Sequence, residues 1–520
     1  MTQHAEPTPD APAPLPWRAY AAGHGRALVG IALAIIAVFL PTLIVPYGFT
    51  DDYSFLWLAV SREPSPMFGR SLIENGTAGG RPLSGVLHDL FYSAAGTIDN
   101  LRFLRLTAVA GIVLLALLLH RELVRSRIAT VPAALIAVLT CTMPAFQVYA
   151  SWAALFVAPY ASILAGGASI VATAAVGAPR GLMPERLTVA TLMLLAALLV
   201  YQPAAMFFWV FLAVALVGSA ANGARTARLL RMHLGVAAIA LPGAFLAVRL
   251  GVHLVGQGPQ AHRNTIAHDP IGKARWFVEQ PLYRALNLVD VTPSPWLAGI
   301  VGAIAIGGML LLARGRCERP LTCLGVALLL VPLSYLPNLV VSDNGATYRT
   351  QAGLSALVVL YTSLGVLGIW MAARARIRSR AAARLWPAID RLALAGAVAL
   401  VAATSFVTAK NVLTLFVEPQ STELRLIRSQ VAALPNGEGR IGFIATSYTQ
   451  GMSKVVVGDE FGLPTSSHTY PLRPLVLLIL REEGRLSPSG LLPVVDVLPW
   501  DAPRPTNEPV IDAHELKSFR

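Results

Sequence analysis

The most informative stretch of the chain is its first long apolar run with the acidic pair after it, residues 27–53, ALVGIALAIIAVFLPTLIVPYGFTDDY. The run from about Ala27 to Pro46 is long enough to cross a bilayer, which takes about 20 mostly apolar residues. Asp51 and Asp52 then fall where a span meets headgroups and water, a place where carboxylates are costly and usually functional. The stretch predicts a membrane protein with chemistry at the membrane surface.

The composition of the whole chain also indicates a membrane protein. Of its 520 residues, 55% are hydrophobic and only 13% are charged, whereas charged residues average about 25% in soluble proteins. The apolar residues come in blocks of membrane-spanning length, which predicts a polytopic α-helical membrane protein. The net charge of +13 does not point to nucleic acid, because much of the Lys and Arg lies in short loops between these blocks.

Eleven transmembrane helices are predicted from the apolar blocks. They cover residues 27–47, 103–120, 129–146, 152–176, 187–202, 204–222, 233–254, 296–313, 321–341, 351–372 and 391–409. Lys and Arg are concentrated in alternate loops, which are residues 121–128, 177–186, 223–232, 314–320 and 373–391. By the positive-inside rule these basic loops are cytoplasmic. The acidic pair is therefore expected on the outer side of the membrane.

This orientation divides the chain into three parts. Residues 1–26 are expected to be a disordered cytoplasmic tail, and residues 27–411 a transmembrane module. The module has two long outer loops, 48–102 with interfacial helices and 253–295. Residues 412–520 are expected to form a small α/β domain on the outer side. In the inner membrane of a bacterium, which the Ala, Arg and Pro content favours, that side is the periplasm, with the N-terminus in the cytoplasm.

Local patterns predict several elements outside the spans. Pro82 suits the first position of a helix, and the apolar residues up to Ala95 share one face, which predicts an interfacial helix over 82–95. In the last part of the chain we expect a helix over Ser421–Leu434, strands over Arg440–Ala445 and Lys454–Gly458, and partly irregular structure after Leu491.

The acidic pair has the chemistry of a general base. Partial removal of water beside lipid raises the pKa of a carboxylate, and a second adjacent carboxylate raises it further. The simpler alternative is a helix N-cap at the membrane surface, a common position for aspartate, with a helix over Tyr53–Val60.

Two arginines are candidates for binding an anionic group. Arg349 is predicted at the outer start of the tenth span, and Arg249 just inside the outer end of the seventh. An arginine fork matches the geometry of a phosphate. Either arginine can instead anchor the end of its span, because arginines extend their charged heads to the membrane surface.

Three short strings of the chain resemble a known enzyme group: Asp51-Asp52-Tyr53-Ser54, Gly80-Arg81-Pro82-Leu83 and Tyr201-Gln202. With an acidic pair opening a long outer loop and many spans, the layout over about residues 27–411 resembles the GT-C superfamily of membrane glycosyltransferases, which use polyprenyl-phosphate-linked sugars. The strings are most similar to the serotype-converting glucosyltransferase II family, which modifies O-antigen and related surface glycans. The last 109 residues have no counterpart in this resemblance.

The resemblance implies an inverting displacement, in which an acceptor hydroxyl attacks the anomeric carbon and polyprenyl phosphate leaves. It assigns the base to Asp51 or Asp52. Neighbouring residues of an extended segment point to opposite faces, so one of them is expected to face a cavity, and Asp51 is favoured. Expected to bind the donor phosphate are Arg349, Arg249 and Arg81. Candidates for binding the sugar or acceptor are Tyr53, Tyr201, Gln202 and His88.

The expected partners follow from the same resemblance. They are a polyprenyl-phosphate-linked sugar, an acceptor that is a surface glycan, glycolipid or glycoprotein, and membrane lipids, but no nucleic acid. No tight Asp, Glu and His cluster stands out in the sequence, so neither a metal nor a cofactor is predicted. Two alternatives stay open: a transporter or flippase for a lipid-linked sugar, which predicts charges near the bilayer midplane, and a glycan polymerase or ligase.

Overall fold

The structure of the chain is a computed structural model, and most of its residues can be described. These are residues 17–65, 67–179, 181–219, 223–256, 265–376, 380–434, 439–446, 460–486, 492–505, 508–513 and 516. The predicted strand Lys454–Gly458 and most of the predicted N-terminal tail lie outside them.

The described part of the chain is mainly helical. In chain order its α-helices are α1 (Trp17–Ile44), α2 (Asp51–Ser61), α3 (Leu72–Ala78), α4 (Pro82–Ala95), α5 (Leu101–Arg125), α6 (Thr130–Cys141), α7 (Pro144–Ser151), α8 (Ala158–Ala175), α9 (Leu182–Ala205), α10 (Phe207–Ser219), α11 (Gly223–Val255), α12 (Pro270–Phe277), α13 (Tyr283–Ala285), α14 (Pro295–Arg316), α15 (Pro320–Leu333), α16 (Leu336–Val340), α17 (Ala352–Arg376), α18 (Arg380–Val412), α19 (Glu418–Ala433) and α20 (Leu472–Glu482). The strands are β1 (Arg440–Ile444), β2 (Val494–Leu498) and β3 (Val510–Asp512).

The predicted polytopic helical fold is confirmed. Among the described residues, eight helical segments are long and apolar enough to cross a membrane. They contain α1, α5, α8, α9, α11, α14, α17 and α18. The other predicted spans correspond to the pair α6 and α7, which is bent by 62°, and to the shorter apolar helices α10 and α15. Each of the eleven predicted segments is therefore built on a helix.

Helix α1 begins earlier than the predicted start at residue 27. Trp17 is its first residue, so the last part of the predicted disordered tail is helical. The Tyr20 hydroxyl lies 2.6 Å from Nδ1 of His120 in α5, and the rings of Tyr20 and His24 are 4.6 Å apart. The Tyr20–His120 contact joins this polar segment, which carries no long apolar run of its own, to the rest of the bundle.

The break between α6 and α7 determines where the following segment lies. Met143 is extended, with φ −61° and ψ 163°, and Pro144 starts α7. A proline disfavours the helical conformation of the residue before it, so the helix has to end there. After α7, Trp152 is again extended and a 3₁₀ turn follows over Ala153–Leu155. A short segment without α-helix, residues 152–155, thus lies inside the bundle.

Helices α2, α3 and α4 form a layer at one end of the bundle. Helix α4 spans the predicted residues 82–95 with Pro82 in its first turn. Leu83, Val86 and Leu90 are exposed, which suits a helix that lies in the membrane interface. Helices α3 and α4 pack closely, since a Cβ on Gly85 would lie 2.6 Å from the Leu72 carbonyl oxygen.

The C-terminal unit, from Glu418 to Leu516, is a small α/β structure. Its parallel sheet has the order β2-β1-β3. The predicted helix and first strand correspond to α19 and β1. After Leu491 the structure has two short strands that were not predicted, β2 and β3, which pair with the two sides of β1. Residues 499–505 between them form turns and irregular structure. The unit contacts the α2–α4 layer and its flanks through Arg473–Glu63 at 2.6 Å and Arg428–Asp99 at 3.0 Å.

Candidate functional site

Asp52 is enclosed by the bundle. Its side chain is 0% exposed. Tyr92 Oη and Ala154 N each donate a hydrogen bond to Oδ1 at 2.7 Å, and Phe49 N donates one to Oδ2 at 2.9 Å. Burial raises the pKa of Asp52 to about 6, and these hydrogen bonds oppose the shift. The Asp52 carboxylate holds α2, α4 and segment 152–155 together.

Asp51 faces the C-terminal unit. It is partly exposed, and its Oδ1 accepts a hydrogen bond of 2.6 Å from the hydroxyl of Tyr470. The two aspartates are the first residues of α2, so the expected extended segment is wrong. The pair lies in the first turn of a helix, where carboxylates are favoured by the helix dipole. Consecutive helical residues still point in directions about 100° apart, so the two carboxylates have separate surroundings.

The backbone immediately before Asp51 is strained. Thr50 has φ 39° and ψ −101°, a conformation that a β-branched residue rarely adopts. Such strain costs about 1–3 kcal/mol and persists only where the surroundings impose it. In this case Thr50 N donates to Thr465 Oγ1 of the C-terminal unit at 3.2 Å.

Arg349 lies beside the acidic pair. Its guanidinium stacks on the Trp152 ring, with Cζ 4.9 Å from the ring centroid. The Trp152 ring in turn contacts Phe49 at 4.9 Å. Burial and the charge of Asp51 raise the pKa of Tyr470, whereas the charge of Arg349 lowers it. The charges of Asp51 and Arg349 therefore both act on the hydroxyl of Tyr470.

A buried carboxylate fixes the position of Arg349. Glu460 accepts hydrogen bonds from the backbone N of Tyr348 at 2.6 Å and of Arg349 at 2.9 Å. Its Oε1 also lies 3.8 Å from Arg349 Nε. Tyr149 donates to the Arg349 carbonyl at 2.7 Å. Contacts from both the bundle and the C-terminal unit therefore hold this arginine.

Arg81, Tyr201 and Gln202 meet next to Arg349. Arg81 Cζ lies 4.4 Å from the centroid of the Tyr201 ring, and Arg81 Nε donates to Gln202 Oε1 at 3.4 Å. Gln202 also donates to the carbonyl of Gly80. The Tyr201 hydroxyl reaches the Arg349 carbonyl at 3.4 Å. Helix α9 is broken at Tyr201, with φ −159° and ψ 102°, shortly before Pro203, and prolines commonly cause such breaks.

Two further candidates, His88 and Tyr53, are packed inside the structure. His88 Nε2 donates to the Ala154 carbonyl at 2.8 Å, and burial lowers the pKa of His88 to about 4. The Tyr53 hydroxyl accepts a hydrogen bond from Gly48 N at 3.1 Å. Both side chains support the segments around Asp52, and a role in binding sugar or acceptor stays a prediction.

Arg249 is not brought into this cluster by the contacts it makes. It is exposed, and its guanidinium lies 5.1 Å from the ring of Phe245, one turn earlier in α11. Phe245 is itself exposed, as are Leu246 and Leu250. This face of α11 has the character of a lipid-facing surface, with Arg249 near its end.

Sequence reasoning missed several residues that build the site. Arg105 is fully buried and donates to the carbonyls of Thr42 at 2.7 Å and Tyr47 at 2.8 Å. It thereby pairs carbonyls at and beyond the end of α1, and its charge lowers the pKa of Asp52. An arginine within an apolar span was the available signal. Trp152, Tyr470 and Glu460 gave no comparable signal, because they are distant in sequence from the acidic pair.

The site contains both carboxylates and guanidinium groups. Asp51 and Glu460 provide negative charge, and Arg349 and Arg81 provide positive charge. Within the described ranges, no group of three or more His, Cys, Asp or Glu side chains is arranged to hold a metal ion. The arrangement can accept a proton at Asp51 and bind an anion at the arginines.

Comparisons with known proteins give limited similarity. No family model matches the sequence, and no curated protein is significantly similar to it. The structure is similar to that of the oligosaccharyltransferase of Archaeoglobus fulgidus in complex with zinc and sulfate, with 12% identity, a TM-score of 0.41, and coverage of 81% of this chain and 60% of that one. The structure is also similar to that of the archaeal oligosaccharyltransferase AglB from Archaeoglobus fulgidus in complex with an inhibitory peptide and a dolichol-phosphate. In that comparison the identity is 14%, the TM-score is 0.41, and the match covers 82% of this chain and 62% of that one.

The chain therefore spans about 60% of the length of the oligosaccharyltransferase chains it matches. Its function is inferred below from the residues of its own site.

Proposed function

We propose that this protein is a GT-C-type membrane glycosyltransferase, which moves a sugar from a polyprenyl-phosphate donor to a hydroxyl of a cell-surface glycan, glycolipid or glycoprotein. One arrangement carries the proposal: Tyr470 donates a hydrogen bond to the partly exposed carboxylate of Asp51, and Arg349 stacks on Trp152, whose ring contacts Phe49 just before the acidic pair. In this proposal Asp51 is the base and Arg349 the phosphate-binding cation, and both act at the same end of the helical bundle.

The proposed reaction is a single displacement. The acceptor oxygen forms a bond to the anomeric carbon while the bond from that carbon to the phosphate oxygen breaks. Asp51 takes the proton of the acceptor hydroxyl, and polyprenyl phosphate leaves with the bonding electrons. The surroundings favour Asp51 over Asp52 as the base, because every hydrogen bond of Asp52 described above comes from the protein interior.

Arg349 and Arg81 would stabilise the phosphate as it leaves. Fixed guanidinium groups are effective because they need little reorganisation when charge develops. Tyr201 and Gln202 lie against Arg81 and would bind sugar hydroxyls or orient the arginine. The proposed location is the outer face of a bacterial inner membrane, and the proposed subgroup is the serotype-converting one suggested by the sequence strings.

The test uses the full chain in lipid nanodiscs with radiolabelled undecaprenyl-phosphate-glucose, and in parallel with the mannose and galactose derivatives. Envelope lipid and polysaccharide from a deletion strain serve as acceptors. We expect label in the acceptor and release of undecaprenyl phosphate. Asp51→Asn is expected to lower the rate about 10²- to 10⁴-fold, the usual contribution of a general base.

The matched control is Asp89→Asn. Asp89 is a carboxylate of the same layer that pairs with Arg62 at 2.5 Å, outside the site. If Asp51→Asn retains the rate of Asp89→Asn at equal protein level, Asp51 is not the base. Translocation of donor with its sugar–phosphate bond intact would instead indicate a flippase. Accumulation of diphosphate-linked oligosaccharide in the deletion strain would indicate a polymerase or ligase.

A further inference from the structure

The C-terminal unit reaches the proposed base directly. Tyr470 lies just before α20, and its hydroxyl donates to Asp51 Oδ1 at 2.6 Å. The Tyr470 ring contacts Phe68, at 5.6 Å, and His468, at 5.8 Å. A short hydrogen bond from a ring packed against two other rings restricts the direction in which the carboxylate points.

The same unit also holds the residue before the base. Thr465 Oγ1 accepts from Thr50 N at 3.2 Å and donates to Gln420 Oε1 at 2.9 Å. Glu423 accepts from the backbone N of Thr465 and of Ser466, both at 2.7 Å. All of these groups are buried. This buried network supports the left-handed conformation of Thr50, and it therefore fixes the start of α2 at Asp51.

A third contact reaches the proposed phosphate-binding cation. Glu460 is 1% exposed and binds the backbone of Tyr348 and Arg349. Glu460 belongs to the C-terminal unit. Base and cation are thus both attached to a part of the chain that follows the last span.

We propose that the C-terminal unit is a working part of the active site, in which Tyr470 positions Asp51 and the Thr465 network holds Thr50. The inference rests on the proposed function and adds to it, since it gives a role to residues that have no counterpart in the family resemblance. Tyr470 is a positioning residue in this scheme. It acts on the acceptor only through the carboxylate of Asp51.

The experiment compares Tyr470→Phe with wild type in the nanodisc assay with the undecaprenyl-phosphate sugar that proves active. The variant removes one hydroxyl and keeps the ring. We expect kcat to fall about 10-fold with a donor KM within twofold, because the base is misaligned while phosphate binding is kept. The acid limb of the pH–rate profile is expected at higher pH, since a donated hydrogen bond favours the ionised carboxylate. The variant keeps the other charged and titratable groups near Asp51, which are Asp52, Tyr92 and Arg349.

The control for Tyr470→Phe is Tyr361→Phe. Tyr361 is a buried tyrosine of α17 whose hydroxyl donates to the Ala327 carbonyl at 2.9 Å, outside the site. Its kcat and pH profile are expected to match wild type. If Tyr470→Phe also matches wild type while Asp51→Asn is inactive, the inference fails and the proposed function stands. If Asp51→Asn is active, Asp51 is not the base and the inference fails with that assignment. If the wild type transfers no labelled sugar, the proposed function itself fails.

A second pair of variants tests the network if Tyr470→Phe does not fold. Thr465→Ser keeps the hydroxyl that accepts from Thr50 N, whereas Thr465→Val removes it. We expect Thr465→Ser to retain kcat within twofold and Thr465→Val to lose at least 10-fold. Equal kcat in the two variants would overturn the positioning role of the C-terminal unit.

Discussion

The two sides of the start of α2 differ in what surrounds them. On the bundle side, Asp52 is fully buried and accepts three hydrogen bonds from α4, segment 152–155 and the Phe49 backbone. On the side of the C-terminal unit, Asp51 is partly exposed and accepts a hydrogen bond from Tyr470. Two identical side chains, adjacent in sequence, therefore have different surroundings, and we propose different tasks for them.

The difference teaches how a doubled acid can be divided between structure and chemistry. A buried carboxylate whose lone pairs are used by the protein stabilises its surroundings only while all partners are present. A partly exposed carboxylate with a fixed orientation can exchange a proton with a bound molecule. The first of three predictions tests this division directly, and the other two test the arginines and the C-terminal unit that surround the pair.

The largest expected effect concerns stability. Asp52→Ala leaves the backbone N of Phe49 and Ala154 without their acceptor and removes the negative charge beside Arg105. We expect Asp52→Ala to lower the free energy of unfolding by about 3–5 kcal/mol, as for the breaking of other buried charge networks. We expect Asp51→Ala to lower it by about 1 kcal/mol or less. Apparent melting temperatures in detergent compare the two variants. Equal melting temperatures would refute the division.

The second prediction compares the two arginines at the site-bearing end of the bundle. Arg349→Ala is expected to lower the rate of transfer about 100-fold, because it removes a fixed cation from the leaving phosphate. Arg249→Ala is expected to change it less than about threefold, since an exposed arginine near the end of a span mainly anchors that span. Rates with the active undecaprenyl-phosphate sugar decide this. A larger loss for Arg249→Ala would place the phosphate at α11.

The smallest expected effect is a pH dependence in the C-terminal unit. Burial raises the pKa of Glu423 from 4.5 to about 6, so the folded state binds a proton more tightly than the unfolded state between these values. The free energy of unfolding therefore falls as pH rises through this window, by about 2 kcal/mol for this group. Glu423→Gln is expected to flatten the fall of the apparent melting temperature between pH 4.5 and 6.5. An unchanged slope would contradict it.

The parts of the fold that could be predicted from sequence are those with local causes. The interfacial helix was predicted at its observed bounds, Pro82–Ala95, because an N-terminal proline and an amphipathic pattern both lie within it. Helix α19 was predicted to within a few residues of its observed bounds. The strands after Leu491 were missed, since β2 and β3 are short and depend on pairing with β1.

The candidate site could be predicted only in part. Asp51, Arg349, Tyr201 and Gln202 are polar residues at the ends of apolar runs, and Arg81 lies in the Gly80-Arg81-Pro82-Leu83 string, so all of them are marked in the sequence. Their partners are not marked in this way. Tyr470 reaches Asp51 across 419 positions of the chain, and an aromatic residue in a polar segment has many ordinary explanations.

The sequence alone determined that the chain is a membrane bundle with an acidic pair at one end. The lengths of the hydrophobic runs and the positions of the charges are properties of the chain itself. Only helices and closed barrels can span a bilayer, so these properties leave few possible folds. Tertiary structure alone decided which aspartate is enclosed, which arginine lies near the pair, and that the C-terminal unit reaches Asp51. These outcomes depend on hydrogen bonds and ring contacts between distant segments, whose geometry exists only after the segments have packed together.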